Sequence, residues 1–271
     1  MVPDRLAPLL VDPGRTALLT DFDGTLSPIV EVPADARPLD GVPDVLARLS
    51  RRFASVCVVS GRTVGFLWDH LGHVAADPDA PVHLVGLYGM ESAAPDGTPV
   101  LDESAAEWMP VVRRAARLLR AGAPDGIEVE LKGPAVTVHF RRAPGAARAA
   151  DWAAERTGTV AAATGLVAHR GRLSVELRPE LGLDKGTVVR RMSRGCSAVA
   201  FFGDDLGDLP AFAELARLRA GGGIDTVGVA VLDAETAPEV AAAADLSVDG
   251  PAGALSVLEF LADAPATGPP R

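Results

Sequence analysis

Apolar residues along this chain fall into two kinds of pattern, and the change between them divides it. Short unbroken apolar runs come first. "TALLT" at 16–20, "SVCVVS" at 55–60 and "VHLVGL" at 82–87 read as buried strands, because a strand covered on both faces needs no polar side. Between the first two, "GVPDVLARLSRRF" at 41–53 sets Val42, Val45, Leu46 and Leu49 at helical spacing, with Pro43 tolerated in a first turn. "TVGFLWDHLG" at 63–72 predicts a second, shorter helix. Strands alternating with helices predict an α/β fold, a Rossmann-like and mostly parallel sheet flanked by helices.

The texture then changes. "DGTPVLDE" has turn or hairpin chemistry, and Ser104 with Glu107 forms a capping box opening a helix that Gly122 would stop. "IEVELKG" (127–133) and "VTVHFRR" (136–142) alternate strictly, as half-buried antiparallel strands do. A helix over roughly 146–157 follows. "LVAHRG" (166–171) and "RLSVELRP" (172–179) then make a second alternating pair around Gly171. Helix, hairpin, helix, hairpin predicts an inserted α+β domain at 104–178, within a core made of 1–103 and 179–271. After it the first style returns: a helix over 185–194, "AVAFF" at 198–202, a helix over 209–220, and strands at 226–232 and 244–250. The tail "APATGPPR" reads as a mobile end.

Composition narrows the function classes. Of 271 residues 48% are hydrophobic, enough for a sizeable core, and the net charge of -10 disfavours nucleic acid or an anionic membrane as partner. No run is long enough to span a bilayer. The start "MVPDRLAPLLVDPG" lacks the basic and apolar regions of a signal peptide, so a cytoplasmic location is expected. Cys57 lies in an apolar run and reads as a buried free thiol. Of 26 basic side chains only Lys132 and Lys185 are lysine; either these are positions where a compact ammonium is wanted, or two lysines survive by chance, and composition alone does not choose.

Four polar features share one address, just past the carboxyl end of a strand or at a helix start: Asp21 with Asp23, Ser60-Gly61-Arg62, Lys185, and Asp204, Asp205 and Asp208. Ligands collect there in open α/β sheets. Asp21-Phe22-Asp23-Gly24 begins like a calcium loop, but Leu26 and Val32 stand where that loop needs Gly and Glu. Mg²⁺, held by few carboxylates together with substrate phosphate, explains the paired acids better. Three acids in "GDDLGD" exceed what one helix cap requires, so one of Asp205 and Asp208 can cap while the excess completes a metal site with Asp21. Ser60 taken alone reads best as a helix N-cap, although a hydroxyl at a helix start is also a phosphate contact. Lys185 stands in a helix's first turn against the macrodipole, as an anion anchor would. In the insert, Glu128, Glu130 and Lys132 share one strand face, Thr137, His139 and Arg141 another, and Arg172, Ser174, Glu176 and Arg178 a third. Such faces are usually solvated, yet they also suit a polyhydroxylated ligand.

"DFDGT", "VVSGR", "LDKG" and "GDDLGD", in that order, resemble the four motifs of the haloacid-dehalogenase-like phosphatases, and the insert resembles their larger cap domain. "ELKGPAVTVHFR" followed by "VELRP" is similar to the cap signature of the trehalose-6-phosphate phosphatase family. "GLYGMES" resembles its Gly-x-His-Gly-x-Glu element, with Tyr88 in place of His. The resemblance implies hydrolysis of trehalose 6-phosphate, with Asp21 as nucleophile and Asp23 as general acid and base. It implies Mg²⁺ on Asp21, the Asp23 backbone carbonyl and Asp204, with Asp205 or Asp208 orienting that shell. Ser60 and Lys185 would bind phosphoryl oxygens. Arg62, Glu130, Lys132, His139, Arg141 and Glu176 would face the substrate of a protein expected to be monomeric. Another sugar phosphate (sucrose-phosphate or mannosyl-glycerate phosphate), a phosphomutase reaction, and a non-catalytic regulatory module remain the alternatives.

Overall fold

A computed structural model describes residues 4–268 apart from Arg172 and Glu235, so the place of Arg172 on the insert's polar face lies outside the described residues. The chain divides into two compact units, Met1–Val100 with Leu183–Arg271, and Leu101–Gly182.

The first unit is a sheet covered on both sides. In chain order it holds β1 (Thr16–Thr20), α1 (Val42–Ser50), β2 (Ser55–Val59), α2 (Val64–Ala75), β3 (Val82–Gly86), and the short strands β4 (Glu91–Ala93) and β5 (Pro99–Leu101). The sheet runs β12-β11-β10-β1-β2-β3-β4-β5, where β10 is Ala198–Gly203, β11 Asp225–Leu232 and β12 Leu246–Asp249. Pairing is parallel from β12 through to β3, and β4 turns back antiparallel on β3. The unbroken apolar runs are explained by burial on both faces. Leu18, Val56, Val58, Ala200 and Phe202 join one core, while Leu19, Cys57, Val59, Val199 and Phe201 join the other. Cys57 is a buried free thiol, its pKa raised to about 12 by that burial.

From β1 the chain steps outward through β2 and β3 in one direction and, after the insert, through β10, β11 and β12 in the other. The order therefore reverses between β1 and β10, the place where a crevice opens beyond the strand ends.

The second unit contains α3 (Glu103–Glu107), α4 (Met109–Arg120), β6 (Glu128–Lys132), β7 (Ala135–His139), α5 (Ala146–Thr164), β8 (Val167–Gly171) and β9 (Ser174–Arg178). Its sheet, β6-β7-β9-β8, is antiparallel throughout. Val112, Ala115, Ala116 and Leu119 of α4 pack with Val136, Val138, Val175 and Leu177 on one face.

Three expectations need correction here. The helix opening at Ser104 is two helices, and Asp102 is the cap, accepting from Ser104 N at 3.0 Å. The break precedes Pro110, whose ring excludes the carbonyl four residues earlier. α5 runs to Thr164, seven residues beyond its expected end at 157, because alanines continue to supply helix former where apolar periodicity fades. Arg141 lies in an exposed turn past the end of β7 and does not extend the strand face of Thr137 and His139. Returning to the first unit, α6 (Lys185–Met192), α7 (Leu209–Gly221), α8 (Pro238–Ala243) and α9 (Gly250–Asp263) complete the chain.

Candidate active site

Asp21 is the first residue beyond β1, and its N–H donates to Phe202 O at 2.8 Å, which levels it with the end of β10. The chain then folds back on itself. Leu26 N and Ser27 N both donate to Phe22 O at 2.9 Å, and Gly24 N donates to Ser27 O at 2.7 Å. Gly24 takes φ +76°, and a Cβ there would overlap the Asp204 carboxylate. Glycine thus serves two needs, a left-handed turn and close approach to an acid from a distant segment. Thr25 Oγ1 donates to Asp204 Oδ1 at 3.1 Å.

Asp208 organises the acids after β10. Its Oδ2 accepts from Asp204 N at 2.9 Å and Asp205 N at 3.1 Å, and Oδ1 accepts from Lys185 Nζ at 2.6 Å. Lys185 Nζ also lies 2.7 Å from Asp21 Oδ1. The ammonium is buried between two buried carboxylates, so it occupies the first turn of α6 as the counter-ion of an acid cluster. Asp21 and Asp208 hold it protonated far above the ordinary lysine range, although burial opposes them. Asp205 does the capping: its Oδ1 accepts from Gly207 N at 2.8 Å, closing the 3₁₀ turn Leu206–Asp208.

Carboxylate oxygens of Asp21, Asp204 and Asp208 lie within 4.8 Å of one another. Burial, then the neighbouring acids, pushes Asp204 up to about 7. Burial likewise holds Asp21 well above the usual carboxylate range, with Lys185 opposing. An all-oxygen set in which burial, then neighbouring acids, holds Asp21 and Asp204 against ionisation fits a hard divalent cation such as Mg²⁺.

Ser60 follows β2, next to Asp21 in strand order, and is buried. It is not the N-cap of α2. Thr63 is, its Oγ1 accepting from Phe66 N at 3.2 Å. Ser60 Oγ instead accepts from Arg62 N at 3.1 Å. Arg62 places its fork on Asp23, with Nε to Oδ2 and Nη2 to Oδ1 both 2.7 Å, and donates from Nη1 to Pro33 O at 2.8 Å. Its guanidinium also lies 4.4 Å over the Phe66 ring. A bidentate pair fixes carboxylate orientation as well as charge, so Arg62 aims Asp23. Glu91, buried, accepts from Val64 N at 2.5 Å and secures the start of α2. Thr25 and Glu91 stand within the "DFDGT" and "GLYGMES" stretches, which were the available signals for them.

In the second unit, one sheet face carries three cross-strand rows. Glu130, Thr137, Glu176 and His169 are in register across β6, β7, β9 and β8. His139 Nε2 is 2.9 Å from Glu130 Oε2, a hydrogen bond that lowers the Glu130 pKa. Thr137 Oγ1 donates to Glu176 Oε2 at 3.3 Å. Lys132 and Arg178 flank this row on the same face by register. His169 has no counterpart among the expected residues; it stands opposite Glu176 by register.

The trehalose-phosphatase family model matches residues 19–251, which takes in both units. This chain belongs to the trehalose-phosphatase family. The trehalose-phosphate phosphatase of Mycolicibacterium paratuberculosis is 35% identical over 263 residues, covering 91% of this chain. The chain spans 62% of that relative's length. The C-terminal domain of the C. albicans trehalose-6-phosphate phosphatase is 26% identical at a TM-score of 0.67, covering 96% of this chain and 97% of that one. A haloalkanoate-superfamily phosphatase from Bacteroides thetaiotaomicron shares the fold, at 17% identity and a TM-score of 0.53 over 91% of this chain and 94% of that one. These relatives agree with the expected α/β core carrying an α+β cap. Among the described residues no helix is long and apolar enough to cross a membrane.

Proposed function

We propose that this chain, as a cytoplasmic monomer, hydrolyses trehalose 6-phosphate to trehalose and inorganic phosphate through a phosphoryl group carried on Asp21. The observation that carries this reading is the buried Asp21 carboxylate at the strand-order reversal, 2.7 Å from the Lys185 ammonium. A carboxylate oxygen of Asp21 attacks phosphorus as the bond from phosphorus to the sugar oxygen breaks. Asp23, two residues on and oriented by Arg62, gives its proton to that departing oxygen. In the second step Asp23 takes a proton from water, the water oxygen bonds to phosphorus, and the Asp21 oxygen leaves. Ser60 and Lys185 bind the non-bridging oxygens, where charge is concentrated as the group moves. Mg²⁺ would be held by Asp21, the Asp23 backbone carbonyl and Asp204, and when bound would supply positive charge against those oxygens. Asp208, both of whose oxygens are already committed, sets the frame for Asp204, while Asp205 caps the turn that carries Asp208.

Sugar recognition belongs to the polar face of the second unit. Glu130, Lys132, His139 and Glu176 gather acids, a cation and an imidazole on one sheet face, which suits a disaccharide with donors and acceptors all round. Arg141, in its turn, is a peripheral contributor. Initial rates of phosphate release across a panel of sugar phosphates, with and without Mg²⁺, test the substrate. Trehalose 6-phosphate is expected to exceed glucose 6-phosphate and sucrose 6-phosphate in kcat/KM, and equal rates would end the trehalose assignment. Asp21→Asn should lower kcat at least about 10³-fold while thermal unfolding stays near that of the parent. Residual turnover within tenfold of the parent would remove Asp21 from the nucleophile's role.

A further inference from the structure

The loop after β3 spends two unfavourable backbone conformations on positions that the reaction scheme does not use. Leu87 and Tyr88 both adopt positive φ, 50° and 59°, a region that bulky side chains rarely enter. The loop is nevertheless tightly held. Ser60 N donates to Val85 O at 3.0 Å, Tyr88 N to Ser60 O at 3.0 Å, and Leu87 N to Arg62 O at 2.9 Å. The first of these continues the pairing with β3, and the other two tie the loop to the Ser60–Arg62 segment. The Tyr88 side chain leans the same way: a Cβ at Gly61 would lie 2.6 Å from the phenolic oxygen and 2.7 Å from Cζ. Gly61 and Tyr88 are therefore fitted to each other, with the phenol laid over the loop that carries Ser60. The next residue, Gly89, packs closely on α6, where a Cβ would lie 3.1 Å from Val188 Cγ2.

Strand order gives the placement meaning. Asp204, Asp21, Ser60 and Tyr88 follow the ends of β10, β1, β2 and β3, which are consecutive neighbours in the sheet. Adjacent strands are about 4.8 Å apart, so Tyr88 begins roughly two spacings from Asp21 and its side chain reaches back across the one between. With phosphorus at Asp21, the group next outward is the sugar ring bonded to the phosphate oxygen. A phenol offers that ring what it needs, an apolar face for its C–H surface and a hydroxyl for its edge. Tyr88 is only partly buried, as a residue meeting an incoming ligand must be.

We infer that Tyr88 is a specificity-determining residue whose phenolic hydroxyl contacts the sugar ring attached to the phosphate. This rests on the phosphatase reading, though not on trehalose being the sugar. The test is Tyr88→Phe, which keeps the ring over Gly61 and removes the hydroxyl. The quantity read is the ratio of kcat/KM for a sugar phosphate, glucose 6-phosphate or trehalose 6-phosphate, to kcat/KM for p-nitrophenyl phosphate. That ratio should fall about tenfold, the worth of one hydrogen bond. Tyr88→Asn, which tolerates the left-handed backbone, should lower it at least as far. An unchanged ratio overturns the assignment. So does a parallel loss on every substrate, because that outcome marks Tyr88 as support for the Ser60 loop alone. A parent enzyme with no preference for the disaccharide would defeat the trehalose reading and leave the Tyr88 result on glucose 6-phosphate intact. A parent that releases phosphate from no sugar phosphate would defeat both.

Discussion

Replacing Lys185 by Met tests whether one ammonium holds the acid cluster together. Methionine is also unbranched, one heavy atom shorter, and removes the charge. In the parent, Nζ lies 2.7 Å from Asp21 Oδ1 and 2.6 Å from Asp208 Oδ1, and all three side chains are buried. Removing one partner of a buried pair leaves the other charge uncompensated, at a cost of about 3–5 kcal/mol. Here two acids lose their partner while Asp204 stays close by, so the upper half of that range is expected when all three are ionised. The deficit must also depend on pH. Burial already raises the folded-state pKa of Asp21 and Lys185 opposes it, so loss of the ammonium raises that pKa further. An acid whose folded pKa is raised keeps its stability below the unfolded value, 3.8 for aspartate, and loses it as pH rises through the folded value. The variant should therefore differ least from the parent near pH 5 and most near pH 8. Urea unfolding in chelator at pH 5, 7 and 8 measures this as a change in midpoint at constant slope. Adding Mg²⁺ at pH 8 should restore part of the loss, since the ion supplies charge among the same oxygens. A deficit under about 1 kcal/mol, or one that does not vary with pH, would refute the view that Lys185 is the cluster's counter-ion.

Two further outcomes follow from the geometry of the first unit. Gly24→Ala sets a Cβ against the Asp204 carboxylate at a left-handed position, so the Mg²⁺ concentration for half-maximal activity should rise about tenfold or more, equivalent to about 1.4 kcal/mol of lost metal affinity; metal titration of activity checks it. Away from the site, Glu214 is paired with Arg217 and Arg190, which hold its carboxyl down to about 2 from an ordinary 4.5. Its contribution is present above pH 4.5 and lost as pH falls through about 2, so Glu214→Gln should flatten the acid side of a plot of Tm against pH. An unchanged acid limb would show that the ion pairs add nothing.

What the sequence made legible was whatever depends on local pattern. Each buried strand of the first unit appeared as an unbroken apolar run because both faces are covered, and the acids stood out because they leave such strands directly. Lys185 was legible for a related reason, since a cation in a first turn contradicts a local rule and the contradiction is resolved by two acids from distant segments. Where a local preference had several places to act, the reading slipped. Ser60 has good N-cap chemistry, but Thr63 caps α2, because Ser60, Gly61 and Arg62 are needed in a loop before the helix begins. Ser104 has it too, yet Asp102 stands two residues earlier with a stronger acceptor. α9 starts Gly-Pro-Ala-Gly, a weak opening for a helix, and is held where Ala254, Leu258 and Leu261 join the core.

The contacts that distinguish this site from a generic acid cluster were hidden for another reason. Arg62 with Asp23, Thr25 with Asp204, and Tyr88 over Gly61 join residues 39, 179 and 27 positions apart. No periodicity links such residues, and each pair meets only because parallel strands deliver their carboxyl ends to one edge. The first two could be placed in the same crevice from strand order alone, but not assigned to each other. Arg62 illustrates the difference. Its address beside Ser60 suggested a hand on the substrate, whereas its fork, its Pro33 anchor and its Phe66 stacking all serve to hold Asp23. A guanidinium so occupied is rigid, and that rigidity suits the two proton transfers proposed for Asp23. Lysine at position 62 would keep the charge and lose the fork, so orientation of Asp23, rather than local charge, is what this arrangement secures.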